Sequence, residues 1–197
     1  MILLNLWLRL LLLLICSPFR ERLQAPFDIS RLSFRVLPTD LDVNLHMNNG
    51  RYLTLMDLGR YDLMVRMGLW KHARKHGWMP VLSAANVVFR RELRLFQKFD
   101  LDSRLLWWSG THVLMEHRLL TSSADGSRVL AAKAIMHGGF YERANRRFVP
   151  ASEVLAALGT DVEPPALTPE IEAVLASAKA VREPGGANVG PRETDGL

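Results

Sequence analysis

Asp42, Asn44 and His46 are spaced two residues apart in a polar stretch that runs from Asp40 to Leu53. A carboxylate, an amide and an imidazole are groups that orient water and exchange protons with a reacting carbonyl group. In an extended segment, residues two apart point the same way and lie roughly 6.5–7 Å apart. We therefore expect these three side chains to line one wall of a cleft, and we expect the chemistry to be that of an acyl group.

The residues that follow predict a helix N-terminus beside this wall. The backbone N–H groups of Asn48, Asn49 and Gly50 would be unpaired in the first turn, where a helix also carries a partial positive charge. Such donors polarise a carbonyl group that is about to become an oxyanion. The side chains of Asp40, Asn48 and Asn49 are also good capping and turn residues, and we expect capping to be their main role.

One strand before the stretch and a buried helix after it must position these groups. Residues 32–37 alternate apolar and polar side chains, which predicts a strand. From about Asn49 the helical pattern is apolar on nearly all sides, as in a buried helix. Gly59 interrupts it at a cost of about 1 kcal/mol relative to Ala, which indicates a close approach of helix and sheet. A shorter helix is predicted over Leu69–His76.

Four further segments have the period-two pattern of strands. They are residues 87–95, 99–107, 112–121 and 129–137. The pair Asp125-Gly126 predicts a hairpin turn between the last two. We expect these strands to form a meander that needs a cover on one face, and the buried helix is the available cover. The predicted fold class is therefore α+β, a curved antiparallel sheet of about five strands wrapped around a central buried helix.

The composition limits the classes of function. The chain has 197 residues, of which 49% are hydrophobic, and a formal net charge of +5. No run of five basic residues and no basic-aromatic pattern is present, so we expect no nucleic-acid partner. The single cysteine, Cys16, excludes an internal disulfide and a metal site built from cysteines. The histidines have no ligand spacing, so we expect no metal site.

Residues 1–19 are strongly apolar apart from Arg9. An arginine at the centre of a membrane costs about 2.5–3.5 kcal/mol, and the uninterrupted run that follows, Leu10–Cys16, is too short to span. A short anchor with Arg9 reaching the membrane surface, an interfacial helix and a signal peptide all remain open. Arg20 and Arg22 favour a cytoplasmic flank, so we expect a retained anchor at the cytoplasmic face of a membrane. The alternative is a soluble cytoplasmic protein.

The polar stretch closely resembles the signature of hot-dog acyl thioesterases. The resemblance is carried by Thr39-Asp40-Leu41-Asp42 and by His46-Met47-Asn48-Asn49-Gly50-Arg51-Tyr52-Leu53. It is most similar to the proteins called thioesterase superfamily member six, and it covers roughly residues 30–170. The resemblance implies a hot-dog fold, an acyl-CoA or acyl-carrier substrate and no separate cofactor. It also implies a homodimer or a dimer of dimers with the active site between subunits.

The resemblance also implies roles for individual residues. Plant acyl-carrier-protein thioesterases carry a similar stretch in which the positions of Asp42, Asn44 and His46 take part in catalysis. A Glu in an Arg-Arg-Glu context also takes part there, and Arg90-Arg91-Glu92 matches it. Member-six proteins lack this Glu, and an exposed ion pair is the structural alternative for Glu92.

The leading hypothesis is hydrolysis of an acyl thioester without a metal. Asp42 would deprotonate water or attack directly, Asn44 would hold the water, and His46 would donate to the carbonyl or the leaving thiolate. Arg51, Arg90 and Arg91 are the candidates for contact with substrate phosphates. The alternatives are a non-catalytic, membrane-tethered protein that binds acyl groups or lipids, and a dehydratase of the same fold.

The predicted organisation of the chain has four parts. They are an N-terminal anchor or interfacial helix (1–24), the hot-dog thioesterase domain (25–160), a helical extension (161–181) and a disordered tail (182–197).

Overall fold

The computed structural model describes residues 2–123 and 125–182 and contains two compact units, divided after Pro165. The first unit contains, in order, α1 (Ile2–Cys16), β1 (Ser30–Arg35), α2 (Asn49–Arg66), α3 (Leu69–His76), β2 (Trp78–Phe89), β3 (Lys98–Ser109), β4 (His112–Ser122), β5 (Arg128–Glu142), β6 (Arg147–Val149) and α4 (Ala151–Ala157). Two short 3-10 helices, Ser17–Phe19 and Pro38–Asp40, flank β1. The second unit contains α5 (Pro169–Arg182).

All strand pairs in the sheet are antiparallel, and the strand order is β1-β3-β4-β5-β2, with β6 paired to β5. The sheet curls around α2, whose buried positions include Tyr52, Leu55, Met56 and Leu58. A Cβ at Gly59 would overlap Ser103 Oγ on β3. The predicted close approach of helix and sheet at this glycine is therefore confirmed, as is the fold class.

The predicted meander is wrong in one respect, because β2 does not pair with β3. It pairs with β5, whereas β3 pairs with β1, so residues 90–97 carry the chain from the β2 edge of the sheet to β3, which lies next to the opposite edge strand β1. The strand predicted over residues 87–95 therefore ends at Phe89. Leu93 is completely buried, and its carbonyl accepts the Met47 N–H at 2.8 Å, so its apolar side chain marks a packed crossover and not a strand position.

Several local predictions are confirmed. The helix over Leu69–His76 ends at Gly77, which adopts a left-handed conformation with φ 68°. The β4–β5 hairpin closes with a hydrogen bond of 2.8 Å from the Ser123 N–H to the Ser127 carbonyl, and Gly126 has φ 82°. The short strand β6 was not predicted. Of the tail predicted to be disordered, residues 183–197 lie outside the described residues, and Arg182 is the last residue of α5.

The N-terminal segment packs against the domain. Leu6, Leu10 and Leu13 of α1 join the core cluster that contains the central helix. Arg9, which one of the three open alternatives placed at a membrane surface, forms an ion pair with Asp40, Nη2 to Oδ2 at 2.7 Å. In the described part of the chain, no helix is long and apolar enough to cross a membrane.

Candidate active site

The segment from Asp42 to His46 is a tight turn, and the extended wall that the sequence predicted is wrong. The Asp42 N–H donates to the His46 carbonyl at 3.0 Å, and the Leu45 N–H donates to the Asp42 carbonyl at 3.1 Å. Leu45 adopts φ 61°, and Leu41 bridges Met47 across the turn. The residues two apart therefore do not point the same way.

The turn nevertheless brings two of the three predicted side chains together. His46 Nδ1 lies 3.5 Å from Asp42 Oδ2, and the two side chains are 30% and 19% exposed. The other oxygen, Asp42 Oδ1, accepts the Asn44 N–H at 2.9 Å, which fixes the carboxylate in the turn. The Asn44 side chain is exposed. The structure thus offers a carboxylate–imidazole pair that water can reach, with Asn44 contributing through its backbone.

The first turn of α2 is capped as expected, and the cap uses part of the predicted oxyanion site. Asn48 Oδ1 accepts the Gly50 N–H at 2.8 Å, and the Asn48 N–H donates to the Asp40 carbonyl at 2.9 Å. Two of the three backbone donors predicted over Asn48–Gly50 are therefore engaged within the protein. Among the described residues, the Asn49 N–H is the one of these three donors without a hydrogen-bond acceptor, and its role towards a substrate carbonyl stays a prediction.

The crossover after β2 holds the signature in place. His46 pairs with Arg94 in an isolated β-bridge, directly beside the hydrogen bond from Met47 to Leu93. Tyr52 of α2 is buried against the same crossover. The pKa of Tyr52 is raised to about 12, chiefly by burial and also by the charge of Glu92, while a backbone hydrogen bond with Leu93 opposes the rise. The fold thus brings the crossover and the signature to one place.

The remaining predicted residues have mixed placements. Glu92 is bound to Arg94, with the Arg94 Nε 2.8 Å from the Glu92 carboxylate, and both side chains are exposed, as the ion-pair alternative predicted. Arg91 is exposed, and its N–H donates to the Ala131 carbonyl at 3.1 Å. Arg51 is half-buried and donates to the Thr39 carbonyl at 3.1 Å. None of these contacts tests a role in phosphate binding, which stays a prediction.

An apolar cavity of about 150 Å³ lies at the other end of α2. Its lining includes Leu63, Met64, Val81, Trp108, Phe140 and Leu155, together with Arg60. None of the predicted site residues lines it. Asn49 and Arg60 are eleven residues apart, which corresponds to about 16 Å of helix rise. The carboxylate–imidazole pair and this cavity are therefore separate features of the described domain.

A buried serine–histidine pair, which the sequence did not predict, lies beneath α2. Ser103 on β3 and His117 on β4 occupy paired positions, with Oγ and Nδ1 2.8 Å apart. Both side chains are completely buried, and burial together with the charge of Arg60 lowers the pKa of His117 to about 3. Because the helix covers it, this pair is inaccessible to a substrate. Strand register alone brings the two residues together, so spacing in the sequence carries no signal for it.

No group of three or more His, Cys, Asp or Glu side chains within residues 2–123 and 125–182 is arranged to hold a metal ion. A reaction that needs no metal stays a prediction.

Comparisons with known proteins agree with this fold. Residues 36–158 match the family model described as the thioesterase-like superfamily. The protein THEM6 of Xenopus laevis is 37% identical over 90 residues, and that of Drosophila melanogaster is 30% identical over 93 residues. Those alignments cover 46% and 47% of this chain and 44% and 48% of the relatives, so the chain spans about half the length of the curated relatives it matches.

Two solved structures show the same fold. The probable thioesterase YbaW from Escherichia coli is 20% identical with a TM-score of 0.59, covering 65% of this chain and 94% of that chain. A 4-hydroxybenzoyl CoA thioesterase mutant complexed with 4-hydroxybenzoyl CoA is 12% identical with a TM-score of 0.61, covering 67% and 99%.

Proposed function

The chain belongs to the thioesterase-like superfamily, and on that premise we propose that it hydrolyses acyl thioesters of coenzyme A or of an acyl carrier to the free acid and the thiol. The observation that carries the proposal is the Asp42–His46 pair, 3.5 Å apart and reachable by water, beside the N-terminus of the central helix. The Asn49 N–H, at the positive end of that helix, is the donor for the thioester carbonyl oxygen.

Two routes fit this pair. In the first, Asp42 takes a proton from water as the water oxygen bonds to the carbonyl carbon; the C–S bond then breaks, and the thiolate takes a proton from His46. Asp42 then gives the proton that it took from water to His46, which returns both side chains to their starting states. In the second, the Asp42 carboxylate attacks the carbonyl carbon, the C–S bond breaks, and the thiolate takes a proton from His46; water then hydrolyses the anhydride to the free acid, which restores the Asp42 carboxylate and returns a proton to His46. Glu92 and Asn44 can contribute to either route only from the edge of the site. Glu92 is bound to Arg94, and the Asn44 side chain lies exposed on the turn.

A chain-length series of acyl-CoAs with a free-thiol readout tests the proposal on the purified full chain. We expect Asp42→Asn to lower kcat/KM at least about 100-fold, since a positioned acid–base group contributes that much. Asp161→Asn, in the exposed loop after α4, makes the same chemical change away from the site and serves as the matched control. The same background rate of thiol release for wild type and Asp42→Asn at every chain length would show that hydrolysis is the wrong function.

The second candidate is a non-catalytic, membrane-tethered protein that binds acyl groups or lipids. It is favoured by the engagement of Glu92 with Arg94 and by the apolar cavity of about 150 Å³, a size that accepts a benzene-sized group. Saturable acyl-CoA binding without thiol release in the same chain-length series would support it. Hydration of an enoyl-CoA in those samples would support the dehydratase instead.

We also infer that the protein forms a homodimer or a dimer of dimers. Support comes from β2, an edge strand of twelve residues with no second partner strand in the described part of the chain. Exposed apolar side chains along it are Met79, Leu82, Val88 and Phe89. A long apolar edge of this kind is an aggregation liability unless another strand covers it.

Association with the cytoplasmic face of a membrane is the remaining part of the proposal. It rests on the apolar N-terminal segment and on the arginines that follow it, Arg20 and Arg22. A soluble cytoplasmic protein is the alternative, and fractionation of the full chain after lysis separates the two: recovery entirely in the soluble fraction would contradict a membrane location.

A further inference from the structure

Helix α1 is apolar on two opposite faces, and the described part of the chain covers only one of them. Leu6, Leu10 and Leu13 pack into the core of the domain. The opposite face carries five large apolar side chains, each more than half exposed: Trp7, Leu8, Leu11, Leu12 and Ile15. Their spacing of one, three and four residues places them on a single stripe of the helix. A contiguous apolar surface of this kind marks an interaction site.

Arg9 fixes the orientation of α1 on the domain. Its guanidinium lies on the covered face, donates to both oxygens of Asp40 at 2.7 and 3.4 Å, and donates to the Arg35 carbonyl at 3.2 Å. It also stacks over the Phe34 ring at 5.6 Å from the centroid. The two side chains of the ion pair are 12% and 2% exposed. Withdrawing α1 would therefore leave the Asp40 carboxylate buried without this partner, which is strongly unfavourable.

Asp40 connects this ion pair to the candidate active site. Its Oδ2 accepts the Leu37 N–H at 2.9 Å, and its carbonyl accepts the N–H of Asn48, the cap of α2, at 2.9 Å. Asp42 follows two residues later. Arg9 thus contacts Asp40, and Asp40 is two residues from Asp42, which we propose to act on the thioester.

The segment after α1 is also fixed to the domain. Ser17 Oγ and Arg20 Nη1 both donate to Asp62 Oδ1 on α2 at 2.9 Å, and the Leu23 N–H donates to the Arg66 carbonyl at 3.2 Å. The fifteen residues of α1 give a helix about 22 Å long, shorter than a hydrocarbon core of about 30 Å. A short helix that is held along its length by the domain has the geometry for lying in a membrane plane.

We propose that α1 docks in the plane of a lipid bilayer through its exposed stripe, and that Arg9 is a positioning residue that joins this docked helix to the signature segment. A lipid surface fits because the stripe is apolar, includes a Trp, and is followed by the exposed Arg22, whose charge favours anionic headgroups. The docking rests on the proposed membrane association and deepens it, whereas the role of Arg9 in turnover rests on the proposed thioester hydrolysis.

Vesicle binding tests the docking surface. The full-length double variant Leu8→Glu/Leu12→Glu places two charges in the stripe. We expect it to reduce the fraction bound to phosphatidylcholine–phosphatidylserine vesicles at least tenfold while leaving turnover of a soluble short-chain acyl-CoA unchanged. Val162→Glu/Leu167→Glu adds the same charges at exposed apolar positions outside α1 and serves as the matched control. Unchanged vesicle binding, or a loss of self-association in place of vesicle binding, would overturn the docking.

Arg9→Met tests the positioning role and should give the opposite pattern. We expect vesicle binding to persist, kcat for the soluble substrate to fall about tenfold with little change in KM, and amide hydrogen exchange over residues 40–49 to rise. Arg9→Lys, which keeps the charge but fewer donors, should restore part of kcat and serves if Arg9→Met does not fold. Wild-type kcat and exchange in a folded Arg9 variant would overturn the link. If wild type shows no turnover, the proposed function fails, and exchange still reports the link.

Discussion

Acidification should destabilise this protein through His117, the buried imidazole beneath the central helix. The ring is completely buried, its Nδ1 is bound to Ser103 Oγ at 2.8 Å, and its Nε2 has no hydrogen-bond partner in the described structure. Burial, with the charge of Arg60, lowers the pKa of His117 from 6.5 to about 3. The folded protein therefore keeps this imidazole neutral at a pH where the unfolded chain protonates it.

The magnitude follows from proton linkage. Because the folded pKa is lowered, the stabilisation is complete above the unfolded pKa of 6.5 and is lost as the pH falls towards about 3. The free energy of unfolding should fall by about 1.4 kcal/mol per pH unit in this window, or about 2 kcal/mol between about pH 7.5 and about pH 5. Burial raises the pKa of Glu116, but Lys133 and Arg104 outweigh this effect and lower the pKa below 4.5. The stabilisation that Glu116 contributes is therefore lost only at a more acidic pH than the window of His117.

Urea unfolding of the full chain at these two pH values measures the effect. Wild type and His72→Gln, the control on α3, should lose about 2 kcal/mol more on acidification than His117→Gln. Ser103→Ala keeps the buried imidazole and should keep the pH dependence, which provides a second test if His117→Gln does not fold. An equal loss in wild type and His117→Gln would refute the reasoning, since the extra proton would then belong to another group.

Three further predictions concern packing, capping and assembly. Gly59→Ala should lower the free energy of unfolding by about 1–3 kcal/mol, because the new methyl group would overlap Ser103 Oγ and meet Leu101 Cδ2 at 3.0 Å; wild-type stability in a urea titration would contradict this close approach. Asn48→Ala should cost about 1 kcal/mol in the same titration, because Gly50 loses its cap acceptor, and an unchanged midpoint would count against the cap. Val88→Lys on the β2 edge should halve the mass measured by light scattering, and a monomeric wild type would contradict the proposed dimer.

The local elements of this fold were predictable because each depends on neighbours in the sequence. The apolar circumference of α2 predicted a buried helix, and Gly59 within it predicted the contact with the sheet, which the structure confirms. Asn48 was expected as a cap and accepts the Gly50 N–H. Asp125-Gly126 predicted the β4–β5 turn. In each case the steric or hydrogen-bonding requirement is met within a few residues.

Strand order was not predictable in the same way. Residues 87–95 have a strand-like alternation, yet the chain leaves the sheet at Phe89 and crosses to β3, next to the opposite edge strand. The apolar residue Leu93 is buried by packing on the signature and not by a neighbouring strand. Alternation reports which side chains are buried, but it does not report which surface buries them.

The sequence by itself determined which chemical groups gather near the start of α2: a carboxylate, an imidazole and a capping amide within seven residues. Tertiary structure decided how they are used. Residues Asp42–His46 form a turn, held by the crossover at His46 and Met47, that pairs the carboxylate with the imidazole and exposes Asn44. Arg9 reaches Asp40 across 31 residues, and Ser103 meets His117 across two strands. Such pairs depend on packing and register, which sequence spacing does not specify.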